Sequence, residues 1–310
     1  MSLLRDAILA WSTNVWLREK AMRAPFVRRS VSRFMPGERI EDAIDAAREL
    51  KISGITTILT RLGENLTEAA EADEVTAHYL NVMSSVKAAG LDAQISIKPT
   101  QLGLDLDEAL CRRHLITLLD RSDALGNFLW IDMESTPYVD RTLALFRAAR
   151  ERSKNVGVAI QAYLYRSAKD IESLVSLGSA IRIVKGAYKE PPDLAYPKKA
   201  DVDENYFRLV ARLLEPDAVR AGCLVHIGTH DDALIDRIRD RIKQNGVSRD
   251  AYEFAMLYGI RRQLQQRLVA GGEKMRVLIS YGEFWFPWYM RRLAERPANM
   301  MFVLKSMFQR

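Results

Sequence analysis

Eight short apolar runs rich in β-branched residues recur from residue 54 onward with helical stretches between them, and this alternation limits the fold more than any other feature. They are GITTILTRLG (54–63), LDAQISIKP (91–99), NFLWIDMES (127–135), VGVAIQAY (156–163), AIRIVKGAY (180–188), GCLVHIGTH (222–230), YEFAMLYG (252–259) and KMRVLISYG (274–282). The text between them carries helix punctuation. DEVTAHYLNVMSSVKAAG (73–90) closes on glycine, and DDALIDRIRDRIKQNG (231–246) opens on aspartate and closes on glycine. Eight strand–helix units without a Gly-, Pro- or Ser-rich linker predict one closed (β/α)8, TIM-like barrel rather than an open sheet.

Charge separates the barrel from what precedes it. Residues 1–39 hold eight basic and three acidic residues, while the rest of the chain holds 38 basic and 37 acidic. The expected organisation is a basic helical arm at 1–39 followed by a barrel at 40–310. A body this balanced offers no broad nucleic-acid face. In the arm, Leu4, Ile8, Trp11 and Val15 form a helical apolar stripe, suited to packing on the body or to lying on an anionic membrane surface. Arg5 and Asp6 interrupt the opening apolar pattern, so it reads as neither a signal peptide nor a spanning helix. The two cysteines, Cys111 and Cys223, lack CxxC or Cys/His spacing, which predicts a reducing, cytoplasmic setting without disulfides or structural zinc.

In such barrels chemistry sits at the C-terminal ends of the strands. The residues there are Lys98, Asp132 with Glu134, Gln161, Lys185, Thr229 with His230, and Tyr281. Two-residue periodicity puts Asp132 and Glu134 on one face with Met133 opposite, and Lys98 is the expected partner of Asp132. Paired, Lys98 stays charged and binds a carboxylate; desolvated and unpaired, it becomes a Schiff-base nucleophile. His226 and His230 lie about 13 Å apart along a strand, too far for one zinc, so no metal site is expected. His226 reads as interior, and His230 with Thr229 as placed to hydrogen-bond a ligand. VKGAYK (184–189) is either a turn or a close backbone approach to phosphate at Gly186 and Ala187, with Lys185 supplying charge. Alternation sets Arg182 and Lys185 on opposite faces unless the strand ends between them, which Gly186 permits. Neither GxGxxG nor GxxxxGK[ST] occurs where a dinucleotide fold needs it. In WYMRRLAERP (288–297), Arg291 and Arg292 point about 100° apart on a helix. They are either a solvated pair or a clamp on something reached from the side.

Taken together, SIKPTQLGLDL, WIDMES, AIQAYLYRSAKD, RIVKGAYKEP, GTHD and YMRRLAERPAN resemble the flavin-dependent proline dehydrogenases of the monofunctional bacterial type. The match runs from about residue 40 to the C-terminus in the order of the eight strands. It implies a distorted (β/α)8 barrel with non-covalent FAD at the strand C-termini, oxidising L-proline to Δ1-pyrroline-5-carboxylate and passing electrons to a membrane quinone. Residue by residue, it assigns Lys98, Arg291 and Arg292 to the substrate carboxylate and Asp132 to shaping the site. Met133, Gln161, Lys185, Gly186, Ala187, Thr229 and His230 correspond to flavin contacts, and Arg182 lies near the reactive edge of the ring. The sequence departs from the family at Leu278 and Trp288, where tyrosine is usual, and at Pro99, which stands for leucine. Those changes touch the implied substrate wall, so hydroxyproline or another cyclic imino acid stays open as substrate. Two other readings also stay open: a lysine Schiff-base aldolase using Lys98 or Lys185 with Asp132, and a catalytically silent, membrane-surface adaptor.

Overall fold

A computed structural model describes residues 31–63, 66–286 and 288–290; Arg291, Arg292 and the apolar stripe of the arm lie outside them. The eight expected strands all form. They are β1 (Thr56–Arg61), β2 (Ala93–Ile97), β3 (Leu129–Ile131), β4 (Val156–Gln161), β5 (Ala180–Val184), β6 (Leu224–Gly228), β7 (Tyr252–Leu257) and β8 (Met275–Tyr281). They close into a parallel barrel in sequence order. Closure joins β1 to β8 from Thr56↔Arg276 to Arg61↔Tyr281.

Helices cover the barrel for the reason their periodicity gave. In Ala69–Ala88, the residues Val75, Tyr79, Val82, Met83 and Val86 recur at helical spacing and are all buried. Each fully buried aliphatic side chain contributes about 1.5–3 kcal/mol. Capping follows local chemistry: Asp107 accepts from the Ala109 N–H at 2.9 Å, and Gly126 ends the same helix with φ 65°, a left-handed value that glycine adopts freely. Among the described residues no helix is long and apolar enough to cross a membrane.

The barrel interior is packed rather than hollow. Trp130 is fully buried there with Ile58 and Ala180. Gly157 on the neighbouring strand leaves the ring its space, since a Cβ at that position would stand 2.5 Å from it. The indole N–H donates to Gln94 Oε1 at 2.6 Å, and His226 packs at 4.3 Å between ring centroids. His226 is thus interior, as its strand position predicted. Burial, with Arg276 and Arg182 nearby, holds its pKa well below the ordinary value, so the ring stays neutral.

At the opposite, C-terminal end, Val31 and Met35 pack with Leu62, Trp285, Phe286, Trp288 and Tyr289. The Trp285 indole N–H donates to Glu38 at 2.9 Å, fastening residues 31–39 to the segment after β8.

Candidate active site

A cavity of about 560 Å3 opens at the C-terminal ends of the strands, the size of a pocket for a small-molecule ligand. Lys98, Asp132, Met133, Gln161, Arg182, Lys185, Gly186, Ala187, Thr229, His230 and Leu278 all line it. Those positions span the chain from residue 98 to 278, and barrel closure brings them together.

Arg182 is the most constrained of them. Its side chain is buried with only 4% exposed, pairs with Asp132, donates from Nη2 to Ser96 Oγ at 2.9 Å, and has its guanidinium carbon 5.0 Å from the centre of the Trp130 ring. Ser96 Oγ also donates to Asp132 Oδ1 at 2.9 Å, closing a triangle of three polar groups, of which Ser96 and Arg182 are buried. Arg182, reaching over from β5, is a partner of Asp132 that strand-end reasoning did not supply. Arg182 Nη1 is buried with no hydrogen-bond partner among the described residues. Gln161 has a comparable opening: Nε2 donates to the Met133 carbonyl at 3.3 Å, whereas Oε1 is buried without a partner among the described residues. A donor and an acceptor left unmet beside a cavity mark where a polar ligand belongs.

The paired-carboxylate expectation needs correction. β3 ends at Ile131, so two-residue alternation no longer applies beyond it. Asp132 and Met133 both line the cavity. Glu134 is turned away and anchors the turn Pro99–Leu102, accepting from Thr100 N at 3.0 Å and Thr100 Oγ1 at 2.6 Å. Pro99, the first residue of that turn, is buried and stands outside the cavity wall. Tyr281 also leaves the site: its hydroxyl meets His78 Nε2 at 2.8 Å on a covering helix.

β5 ends at Val184, so Arg182 and Lys185 do reach the same cavity. Gly186 has φ 114°, and a Cβ there would stand 2.5 Å from the Tyr163 ring; only glycine fits. Lys185 Nζ lies 2.5 Å from Asp203 and 3.0 Å from Asp231. Burial alone would raise the pKa of Asp231, but Lys185 and Lys199 outweigh it and hold that carboxyl at about 2. His230 Nε2 accepts from the Leu257 N–H at 2.9 Å, which fixes a neutral ring carrying its proton on Nδ1. Thr229 Oγ1 accepts from the Asp231 N–H at 3.2 Å.

Ser96, Trp130 and Lys199 were not singled out from sequence. Ser96 and Trp130 stand two residues before Lys98 and Asp132, and the period-two rule could have found them. Lys199 begins a helix (Lys199–Leu213) beyond a loop, and no local pattern points to it.

A closed parallel barrel with an open polar cavity at its strand C-termini, lined by a buried and incompletely paired arginine, is the architecture of a barrel enzyme. A family model described as proline dehydrogenase matches residues 43–305. Proline dehydrogenase 2 of Bacillus subtilis subsp. natto is 37% identical over 307 residues, 99% of either chain. The proline dehydrogenase of Deinococcus radiodurans is 40% identical over 282 residues, 89% of either chain. The chain belongs to the proline dehydrogenase family, a family of oxidoreductases. The barrel also matches the crystal structure of proline utilization A from Bdellovibrio bacteriovorus inactivated by N-propargylglycine. That match has a TM-score of 0.79 at 22% identity and covers 86% of this chain and 32% of that one, so this chain spans about a third of that protein's length. Family membership sets the aldolase and silent-adaptor readings aside.

Proposed function

We propose that this chain oxidises L-proline to Δ1-pyrroline-5-carboxylate, with FAD in the cavity as hydride acceptor and a membrane quinone as the later electron acceptor. The observation that carries the reading is Arg182, a buried cation with one nitrogen unpartnered beside the cavity, in a chain of this family. The residues present fit the cofactor. Gln161 Oε1 and Arg182 Nη1 are a buried acceptor and donor awaiting partners, and Gly186 leaves the room that a side chain would take. Met133, Gln161, Lys185, Gly186, Ala187, Thr229 and His230 would hold FAD, which when bound supplies a ring nitrogen, N5, that takes hydride from proline C5.

The chain's own residues do the rest. Arg182 supplies a fixed positive charge in a water-poor site, stabilising the negative charge that reduction places beside it. Asp132 and Ser96 hold that guanidinium in place. Lys98 contributes charge for the substrate carboxylate. Arg291 and Arg292, outside the described residues, are proposed as the bidentate clamp that fixes its orientation. Proline's nitrogen gives up its proton to solvent before binding, so that its lone pair can drive hydride departure. Leu278 and Trp288 line the cavity as part of the substrate wall.

We further propose a cytoplasmic enzyme that meets its quinone at the inner membrane face through the basic arm. Incubation with L-proline and a soluble quinone tests the reaction. Mass spectrometry should find Δ1-pyrroline-5-carboxylate and the quinol in equal amounts; proline left intact would overturn the reading.

A further inference from the structure

Four charged side chains meet at the cavity mouth, and only Lys185 was expected there. Lys185 contacts Asp203 at 2.5 Å and Asp231 at 3.0 Å, while Lys199 pairs with Asp203 and lies 3.2 Å from Asp231. Lys185, Lys199 and Asp231 themselves line the cavity. The quartet is electrically neutral, yet the cofactor proposed above brings a diphosphate with two negative charges.

We propose, on the basis of that flavin reading, that Lys199 is a second cation for the diphosphate and that Asp203 and Asp231 compete with it for both lysines. Each ammonium has three donors, so a lysine held by two carboxylates keeps one for a phosphate oxygen. The carboxylates therefore aim the lysines into the cavity before the cofactor arrives. Once it is bound, they stand beside an anion of their own sign, which weakens its hold. The quartet is a device for keeping FAD bound but exchangeable.

The sign of one measurement decides this. FAD released from diluted holoenzyme, read by ultrafiltration, gives Kd for wild type, Asp203→Asn, Asp231→Asn and Lys199→Met. Asparagine keeps the hydrogen-bonding oxygen and, at position 231, the helix cap on Leu234 N. Each Asn variant should hold FAD about two- to fivefold more tightly, the range of a part-exposed ionic contact, and Lys199→Met should hold it less tightly by a similar factor. The gain should shrink at high salt. Asn variants that bind FAD equally well or more weakly than wild type would overturn the competition and leave the carboxylates as positioning groups only. A wild type that purifies without flavin would instead overturn the cofactor reading itself.

Discussion

Two buried arginines, Arg276 and Arg182, stand at different levels of the same barrel, and their surroundings differ in completeness. Arg276, near the start of β8, gives Nε to Glu253 at 2.7 Å, Nη2 to Glu253 at 3.3 Å, and Nη1 to Asp92 at 2.9 Å and the Thr57 carbonyl at 3.2 Å. Arg182, in β5 on the cavity side, has Asp132 and Ser96 as partners of Nη2 and leaves Nη1 unmet. Electrostatics follow the same division. Burial opposes the charge of Arg276, but Glu253 and Asp92 outweigh it and its pKa is raised. Burial also opposes the charge of Arg182, and Asp132 recovers only part of the loss, so its pKa is lowered. Arg276, with every nitrogen partnered, ties β8 to its neighbours; Arg182, with one nitrogen unmet, lines the cavity where a ligand is proposed.

The strongest way to break this comparison is to remove each guanidinium in turn. Arg276→Met should cost about 3–5 kcal/mol of unfolding free energy, because it strands Glu253, whose side chain is only 15% exposed, while leaving KM for proline unchanged in the folded fraction. Arg182→Met should cost less stability, since Asp132 borders the open cavity and can be hydrated, but should lower kcat by about 10²–10³. Urea unfolding and steady-state kinetics on both variants check this. Equal stability losses with no kinetic difference would erase the distinction.

Next in size is the clamp proposed for Arg291 and Arg292. Arg291→Met and Arg292→Met should each lose about 1.5–3 kcal/mol of proline binding, seen as a raised KM with FAD retained. Unchanged kinetics in both variants would return these residues to a solvated helix.

Leu278 sharpens the comparison inside the cavity, where it presents an apolar side chain at a position that the family resemblance implies is usually tyrosine. Such walls reject an added hydroxyl weakly, by about a hundredfold or less. Leu278→Tyr should therefore raise the kcat/KM preference for proline over 4-hydroxyproline. A preference that stays level or falls would remove position 278 from the selectivity wall.

The smallest effect lies outside the barrel. Burial and the nearby Arg61 lower the pKa of His78 from 6.5 to about 4. The unfolded chain takes up a proton below about pH 6.5 while the folded chain does not, so stability is present above that pH and is lost as pH falls toward 4. His78→Gln should flatten the dependence of Tm on pH across that window. An unaltered pH profile would show that His78 contributes nothing there.

The eight strands and their order were legible because β-branched runs and helix punctuation are local signals. The cavity residues were legible where they end strands: Lys98, Gln161, Lys185 and Thr229 all line it. What failed was alternation carried past a strand end, which put Glu134 beside Asp132 although β3 stops at Ile131. What was hidden is contact set by barrel closure. Arg182 reaches Asp132 from β5 to β3, and Lys199 reaches Asp231 only after its helix docks; neither pairing has a sequence period. Ser96 and Trp130 are intermediate, visible once the strand face is extended two residues inward from Lys98 and Asp132.

The proposed oxidation of proline by a flavin bound in this barrel is tested most directly by an absorbance spectrum of the purified protein. The expected protein is yellow, and under anaerobic conditions its visible bands bleach on addition of L-proline. A colourless protein, or flavin bands that persist with saturating L-proline, would contradict the account.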